Sequence, residues 1–355
     1  MILLFGNKEL LPGQSSDRTY YYFGLPYGSD ACFTPVRTII NGGFGIMQIN
    51  NRTTHLDAID YATGWDNIID NVTHPADNIR RYGTRHFLTT EIIPTSIKKQ
   101  SGQWFPNYQL HTIGGGMTYR AMLEWYRFHN APLPRVHAVI SWSVYHVLNE
   151  VVENSDYRGP NTDAIADLLV FNPLGLLLFQ FDGVNQFFGE KLHMRDWSFQ
   201  PMYSPTTGTI ENNGQNFCIS FHLPRSTHWH AFYFFGVHGS VGPMYRTNDG
   251  RGFSAGVGLK AKDLVEIEDD NENDGIRSLT TSLRWTAGLF YDRNYSLLAS
   301  FIFSETKSYR YRLNIYPGII GIGPVSPGLF CAMDADHAVV VGIHIPAIPF
   351  GLAFR

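Results

Sequence analysis

Six ionisable residues between positions 111 and 167 have the types and spacings of an acid–base centre: His111, His146, Glu150, Glu153, Asp163 and Asp167. On a helix, the i, i+4 spacing of His146 and Glu150 puts both on one face, with Glu153 close by at i, i+3. Asp163 and Asp167 repeat the i, i+4 spacing on a following segment. Carboxyl and imidazole groups held in apolar surroundings have displaced proton affinities, which is the property general acid–base chemistry uses. That chemistry would run through His111, His146, Glu150 and Asp167 on lipid or envelope material. The competing reading is a structural polar cluster of His111, Glu150, Glu153, Asp163 and Asp167 that pins helices together. No G-x-S-x-G nucleophile motif lies nearby, so the structural reading is the favoured expectation.

Other chemistry-bearing residues are weaker candidates. His228 and His230 share one face of a strand and His222 precedes them, but no spacing fixes a third metal ligand. Beside Trp229, Phe232 and Tyr233 they read as part of an aromatic girdle. Asp270, Glu272, Asp274 and Gly275 imitate the start of a calcium loop, yet Thr281 stands where the bidentate Glu belongs. Cys32, Cys218 and Cys331 are too dispersed for a disulfide framework or a zinc site. No metal and no cofactor is therefore expected.

The elements that must position the cluster are helices. From Trp104 to Phe181 the chain is punctuated by Gly114–Gly116, by Pro132 and Pro134, and by Gly159 and Pro160. Three segments result, at about 117–129, 135–154 and 161–180, the last interrupted by Pro173 and Gly175. The middle one is the most apolar, and its roughly 20 residues would span about 30 Å, one hydrocarbon core. Residues 1–103 read as irregular and mixed, with one helical signal from Asp57 to Ile69.

Beyond Trp197 the period changes to two. Phe253, Ala255, Val257, Leu259 and Ala261 alternate with Ser254, Gly256, Gly258, Lys260 and Lys262. Leu279 to Tyr291 repeats the pattern, with Leu283, Trp285 and Leu289 on one side and Arg284 and Thr286 on the other. Asp292, Arg293 and Asn294 read as a tight turn into another alternating run. Tyr309, Tyr311, Leu313 and Ile315 then alternate with Arg310, Arg312 and Asn314, and the chain closes on Phe350, Leu352 and Phe354. A soluble sandwich core would need large side chains, whereas one face here is Gly, Ser, Thr and Arg in series. A transmembrane barrel fits better, with Arg284, Arg310 and Arg312 directed into its lumen.

The order His111, Gly115, Gly116, Tyr119, then Glu150 and Glu153, then Pro160, Asn161, Asp163 and Asp167, then Pro173 and Gly175, resembles the pattern of an uncharacterised family of bacterial outer-membrane proteins. The resemblance covers roughly residues 104–182. It implies an outer-membrane location and assigns no activity.

Composition agrees with that class. Only 16% of the 355 residues are charged, against roughly 25% in ordinary soluble domains. A mean hydropathy of -0.15 is too low for a helical membrane protein but suits a barrel whose faces alternate. The net charge of -4 and scattered Lys and Arg exclude nucleic-acid binding. Export needs a signal peptide, and MILLFGNKELLPG has an apolar run of only four residues after Met1, so a leader missing from this sequence is expected. The sequence thus predicts an α+β membrane protein: residues 1–103 mixed, an apolar helical block at 104–182, and an antiparallel transmembrane β-barrel of about eight to ten strands at 183–355. The expected role is structural or scaffolding in a bacterial outer membrane. Its partners would be membrane lipids and other membrane or periplasmic proteins. A lipid- or envelope-modifying enzyme is the alternative, and a small-solute pore the third.

Overall fold

The computed structural model describes residues 18–49, 53–93, 105–156, 162–268, 277–306 and 309–355. Where a mixed, irregular region is expected, the described residues of the first third form helices α1 (Gly28–Ala31), α2 (Pro35–Gly43), α3 (Tyr61–Thr73), α4 (Pro75–Tyr82) and α5 (Thr84–Phe87). Most of these helices are too short to develop a 3.6-residue period. Local caps mark them instead. The Thr34 side chain accepts from Arg37 N and Pro35 opens α2, while Asp60 accepts from Thr63 N at the start of α3. Only α3 had been foreshadowed, by the signal from Asp57 to Ile69.

The helical block contains α6 (Gly115–Phe128), α7 (Pro134–Glu153), α8 (Asp163–Ala166), α9 (Asn172–Leu178) and α10 (Asp182–Asn185). Wide π-type turns precede or follow them at Phe105–Gly114, Asp167–Phe171 and Gln186–Lys191. The chain reverses from α6 into α7 through Asn130 and Leu133, both at positive φ, and Pro134 restarts the helix. No single described helix is long and apolar enough to cross a membrane, α7 included. Asp163–Leu178 and Asp182–Lys191 reach that length and composition only as a pair bent by 86°.

All strands join one mostly antiparallel sheet, so the chain is α+β. They are β1 (Arg195–Asp196), β2 (Met202–Ser204), β3 (Thr209–Glu211), β4 (Asn216–His222), β5 (Trp229–Gly236), β6 (His238–Arg246) and β7 (Arg251–Glu268). After them come β8 (Arg277–Arg293), β9 (Ser296–Ser304), β10 (Tyr311–Ile315), β11 (Gly328–Met333), β12 (Val339–His344) and β13 (Gly351–Phe354). The order is β1-β4-β5-β6-β7-β8-β9-β10-β11-β12-β13-β2-β3. Thirteen strands replace the eight to ten expected, and the order has two ends, β1 and β3, rather than closing on itself. The sheet also begins at Arg195 and not at 183, because α10 and the turn after it occupy 182–191. A single stretch, 195–204, supplies β1 beside β4 and β2 beside β13. Trp197 N and Phe199 N continue its pairing, donating to Asn216 O at 2.9 Å and Gly214 O at 3.1 Å. The turn between β8 and β9 is the two-residue Asn294–Tyr295, both left-handed, and lies one position later than the sequence suggested.

One face of the sheet is exposed and apolar, while the buried face mixes charged and polar side chains with rings such as Phe232, Phe234 and Phe290. Trp285 is 64% exposed, Leu289 59% and Val257 60%, whereas Lys260 and Arg312 are 1% exposed and Asn314 and His344 fully buried. Exposed Tyr311 and Leu313 alternate with buried Arg312 and Asn314, as the period-two pattern requires. Tyr309 breaks that pattern and is buried, because the chain is left-handed there (φ 51°) and its hydroxyl donates to Glu211.

Protein fills the polar face. Trp197 and Phe199 pack with Cys32, Phe232, Phe234, Phe290 and Tyr316. The Arg37 guanidinium of α2 donates to Ser198 O at 2.7 Å and Phe199 O at 3.0 Å. Cys32 Sγ lies 3.8 Å from His344 Nδ1 of β12. The helical block, in contrast, stands on the outer face of β4 and β5. Its core takes in Phe217 and Phe235, and Tyr233 Oη bonds Gln109 Oε1 at 2.7 Å. The helices thus lean on the wall, and α2 packs on α7 through Gly42 and Gly43 while Arg37 and Asn41 reach the carbonyls of the stretch after β1.

Arg246 and Asp292 form a buried pair at 2.8 Å, with the Arg246 guanidinium 3.5 Å from the Tyr295 ring centroid. Replacing Asp292 by Ala leaves that guanidinium buried without its counter-charge, so Asp292→Ala is expected to cost about 3–5 kcal/mol in urea unfolding. A cost below about 1 kcal/mol, the range of surface pairs, would contradict the burial described.

Candidate functional site

The structure brings the helical-block residues together from three elements. His111 comes from the wide turn before α6, His146 and Glu150 from α7, and Asp167 from the wide turn after α8. All four are buried. His111 Nε2 lies 3.2 Å from Asp167 Oδ2, and one ligand atom each from His111, Glu150 and Asp167 fall within 4.8 Å of one another. The His146 ring is 5.8 Å from that of His111, centroid to centroid.

Glycines make this approach possible. A Cβ on Gly115 would stand 2.9 Å from His146 Nε2, and one on Gly175 would stand 2.5 Å from Thr112 O. The turn carrying His111 can therefore lie directly against α9 and α7. Trp142 Nε1 donates to Gly115 O at 2.9 Å and fixes the crossing of α6 and α7.

Three residues of the centre were not anticipated. Asn172 bonds His111, Oδ1 to Nδ1 at 3.0 Å, and so orients the ring. Its only sequence signal is a lone amide before Pro173 inside an apolar run. Buried Glu91, on the turn Leu88–Ile92, sits beside Asp163, and Asn107 Nδ2 donates to Glu91 O at 3.0 Å. No periodicity marks that stretch. Glu153 and Asp163 lie at the margin, half-buried, and bear electrostatically on Glu150 and Asp167.

The electrostatics follow from burial. Desolvation first, then Asp163 and Glu153, push Glu150 well above the usual carboxylate range. Asp167 is raised well above its usual value by desolvation and then by Asp163, Glu150, Glu153 and Glu91. Glu91 is raised to about 8 by desolvation and Asp163. Burial lowers His111 to about 4, against the opposing hydrogen bond from Asn172, and lowers His146 well below 6.5. Both imidazoles are neutral at pH 7.

Several buried polar atoms of this centre have no protein partner: both ring nitrogens of His146, Glu150 Oε1, Asp167 Oδ1 and Asn172 Nδ2. A network built only to hold helices together would satisfy them. Next to it lies a cavity of about 450 Å³ lined by Trp65, Ile69, Val72, Leu168, His146 and Asn172 among others. This volume is within the roughly 300–1,000 Å³ of small-molecule sites, and apolar walls with a few polar groups are their usual lining.

The remaining candidates separate. Arg312 lies on the buried face of β10, its guanidinium 4.3 Å from the Phe199 ring centroid. Half-buried Arg284 shares the face of buried Thr286, and half-buried Arg310 precedes β10. His230 turns inward beside His222, their centroids 4.0 Å apart, while Trp229 between His228 and His230 is exposed. Asp270, Glu272, Asp274 and Gly275 lie outside the described residues. No family model, no curated protein and no solved structure matches the chain.

With a folded-state value near 8 against an ordinary 4.5, Glu91 stays protonated in the fold while the unfolded chain ionises. Its contribution is neutral at acid pH and becomes destabilising as pH rises from about 4.5 to 8. Thermal melts of the protein in EDTA should therefore fall over that window, and Glu91→Gln should flatten the fall. An unchanged slope in the variant would contradict the assignment.

Proposed function

We propose that this chain is an outer-membrane β-barrel protein whose strands present their apolar face to lipid. The observation behind the proposal is the exposed apolar face of the sheet, with Trp285, Leu289 and Val257 outside while Lys260, Arg312 and Asn314 lie inside. In water, a contiguous apolar surface of this kind is an association site, whereas in a bilayer it is the ordinary exterior of a barrel. The stretch 195–204, which meets β4 at one end and β13 at the other, is what would complete the wall. The resemblance of the helical block to bacterial outer-membrane proteins points to the same location. A pore fits poorly, because Trp197, Phe199 and Arg37 fill the concave side.

For activity, the centre at His111 favours the enzyme reading over the scaffold. Partnerless buried atoms cost stability in a scaffold, whereas a site for chemistry needs open valences. The block stands against the outer face of β4 and β5. Its exposed Leu169, Val170, Leu174 and Leu177 are consequently on the side assigned to lipid, next to the apolar cavity. The substrate class is an envelope lipid, its acyl chain in the cavity and its polar group toward His146 and Asn172.

Trp285→Arg, on the lipid-facing side, should destabilise the membrane-inserted protein by about 2–4 kcal/mol, the cost of Arg near the bilayer midplane. Trp285 fluorescence should also be quenched by brominated lipid in reconstituted vesicles. Absence of quenching, with the protein recovered free of vesicles, would overturn the membrane reading. Glu150→Gln should abolish turnover of envelope lipid and, with both proteins melted in EDTA, raise the melting temperature, because it removes a buried uncompensated carboxyl group. A lower melting temperature in EDTA with no activity in either protein would return the centre to a structural role.

A further inference from the structure

We propose that His111, Glu150 and Asp167 bind one divalent transition-metal ion of the zinc class, with His146 as a fourth donor. The centre is the one named above, but metal binding stands separately from turnover of lipid.

The donors converge before any ion is considered. Ligand atoms from His111, Glu150 and Asp167 already lie within 4.8 Å of one another. Bonds of about 2.0–2.2 Å to a tetrahedral ion would draw such donors to about 3.4 Å apart. The His111–Asp167 contact is already 3.2 Å. Ring centres on a common ion at the tetrahedral angle stand about 5.2 Å apart. Those of His111 and His146 are at 5.8 Å. Small side-chain movements would bring His111, Glu150 and Asp167 to coordination distance, and His146, which lies outside that group, would have to turn a ring nitrogen toward them.

A second observation comes from the buried atoms left over. Glu150 Oε1, Asp167 Oδ1 and both nitrogens of His146 lack a partner. Every charged group that bears on Asp167, namely Asp163, Glu150, Glu153 and Glu91, is acidic. Clustering carboxylates in an apolar interior costs several kcal/mol for each uncompensated charge. A divalent cation removes that cost by bonding the same oxygens, and its binding energy then becomes folding energy.

Outer contacts point the same way. His111 Nδ1 lies 3.0 Å from Asn172 Oδ1; in the tautomer with the proton on Nδ1 it donates to that oxygen and leaves the lone pair on Nε2, the atom facing Asp167. Metal-bound histidines are ordinarily held in this manner, by an oxygen acceptor on the opposite ring nitrogen. Two imidazoles with two carboxylates form a borderline donor set, suited to zinc, manganese or ferrous iron. Calcium and magnesium favour all-oxygen sites, and the free cysteines lie elsewhere. His146 and Asn172 also line the apolar cavity, so the ion would sit directly behind its wall.

The test uses the full chain in detergent. Elemental analysis after purification in zinc-supplemented medium should give about one equivalent per chain, and EDTA should remove it with a fall in melting temperature. Cobalt added to the stripped protein should produce the visible bands of a tetrahedral site. Asp167→Asn and His111→Gln should abolish them, and Asn172→Ala, which removes no ligand, should weaken affinity about 10–100-fold. Should a variant fail to fold, the stripped wild-type protein with cobalt gives the answer alone. A folded wild-type chain with no stoichiometric metal and no cobalt bands overturns the proposal, as does Asp167→Asn binding zinc as tightly as wild type. Metal binding without lipid turnover would uphold the ion and remove the enzyme reading. Turnover that survives complete stripping would uphold the enzyme reading, and the ion would then stand or fall on the zinc and cobalt results.

Discussion

The structure depends on how a sheet with a charged interior is satisfied. Lys260, Arg312, Asn314 and His344 all point to the concave side, so something other than bulk water must meet them. Phe199 meets Arg312, Asn212 and Ser300 meet Asn314, and Cys32 and Ile348 O meet His344, while Lys260 Nζ has no hydrogen-bond partner among the described residues. Arg37 binds the carbonyls of Ser198 and Phe199, Arg312 stacks between Phe199 and Tyr309, and Asn212 Nδ2 donates to Asn314 Oδ1 at 2.7 Å. Glu211 accepts from Tyr309 and from Arg355 at 3.0 Å, so the last residue of the chain is tied to β3. The stretch from Trp197 to Gln200 is therefore held in position by hydrogen bonds as much as by packing.

With the concave side taken, the helical block has only the outer face left. It meets β4 and β5 through Phe217, Phe235 and Tyr233, where a short run of large rings replaces the exposed aliphatic pattern of the later strands. Close backbone approaches then set the geometry of the centre. Gly116 lies under the Phe179 ring and Gly175 under Thr112 O, so α9 cannot move away from the turn bearing His111 without opening both contacts. The position of Asp167 is inherited from that packing, because the wide turn Asp167–Phe171 runs directly into α9.

Legibility in the sequence followed the length of each periodic signal. β7 and β8 carry long alternations, and over Phe253–Lys260 and Leu283–Tyr291, where their side chains are described, the less exposed face is the Gly, Ser and Thr side. β1, β2 and β3 have two or three residues each, which no periodicity can reveal, and they are the strands that make the order thirteen rather than eight to ten. The short helices α1, α2, α4 and α5 escaped for the same reason. His111, His146, Glu150 and Asp167 were legible because ionisable groups in apolar helices demand partners. Asn172 and Glu91 were not, since an amide and an acid on irregular turns acquire meaning only when the chain brings them beside those residues. The convergence of ligand atoms was equally hidden, as it depends on three elements meeting in space.

Two kinds of buried polarity thus coexist, and their difference carries the functional argument. In the sheet interior Asp292 has a counter-charge in Arg246 at 2.8 Å; the guanidinium also donates to Gly250 O at 3.0 Å and Tyr295 N donates to Asp292 Oδ1 at 2.9 Å, although Asp292 Oδ2 has no partner among the described residues. Such a compensated pair holds its surroundings in one arrangement. Around His111 the carboxylates have no such compensation: the groups are placed by Asn172 and by tight helix packing, the charges bearing on Asp167 are acidic, and atoms of Glu150, Asp167 and His146 remain open. Orientation without satisfaction is wasteful for a scaffold and necessary for a binding centre, because the ligand must find its valences free and already aimed. The rigid wall, the filled interior and the glycine-mediated crossings supply the aim, and the unfilled valences supply the reason for it.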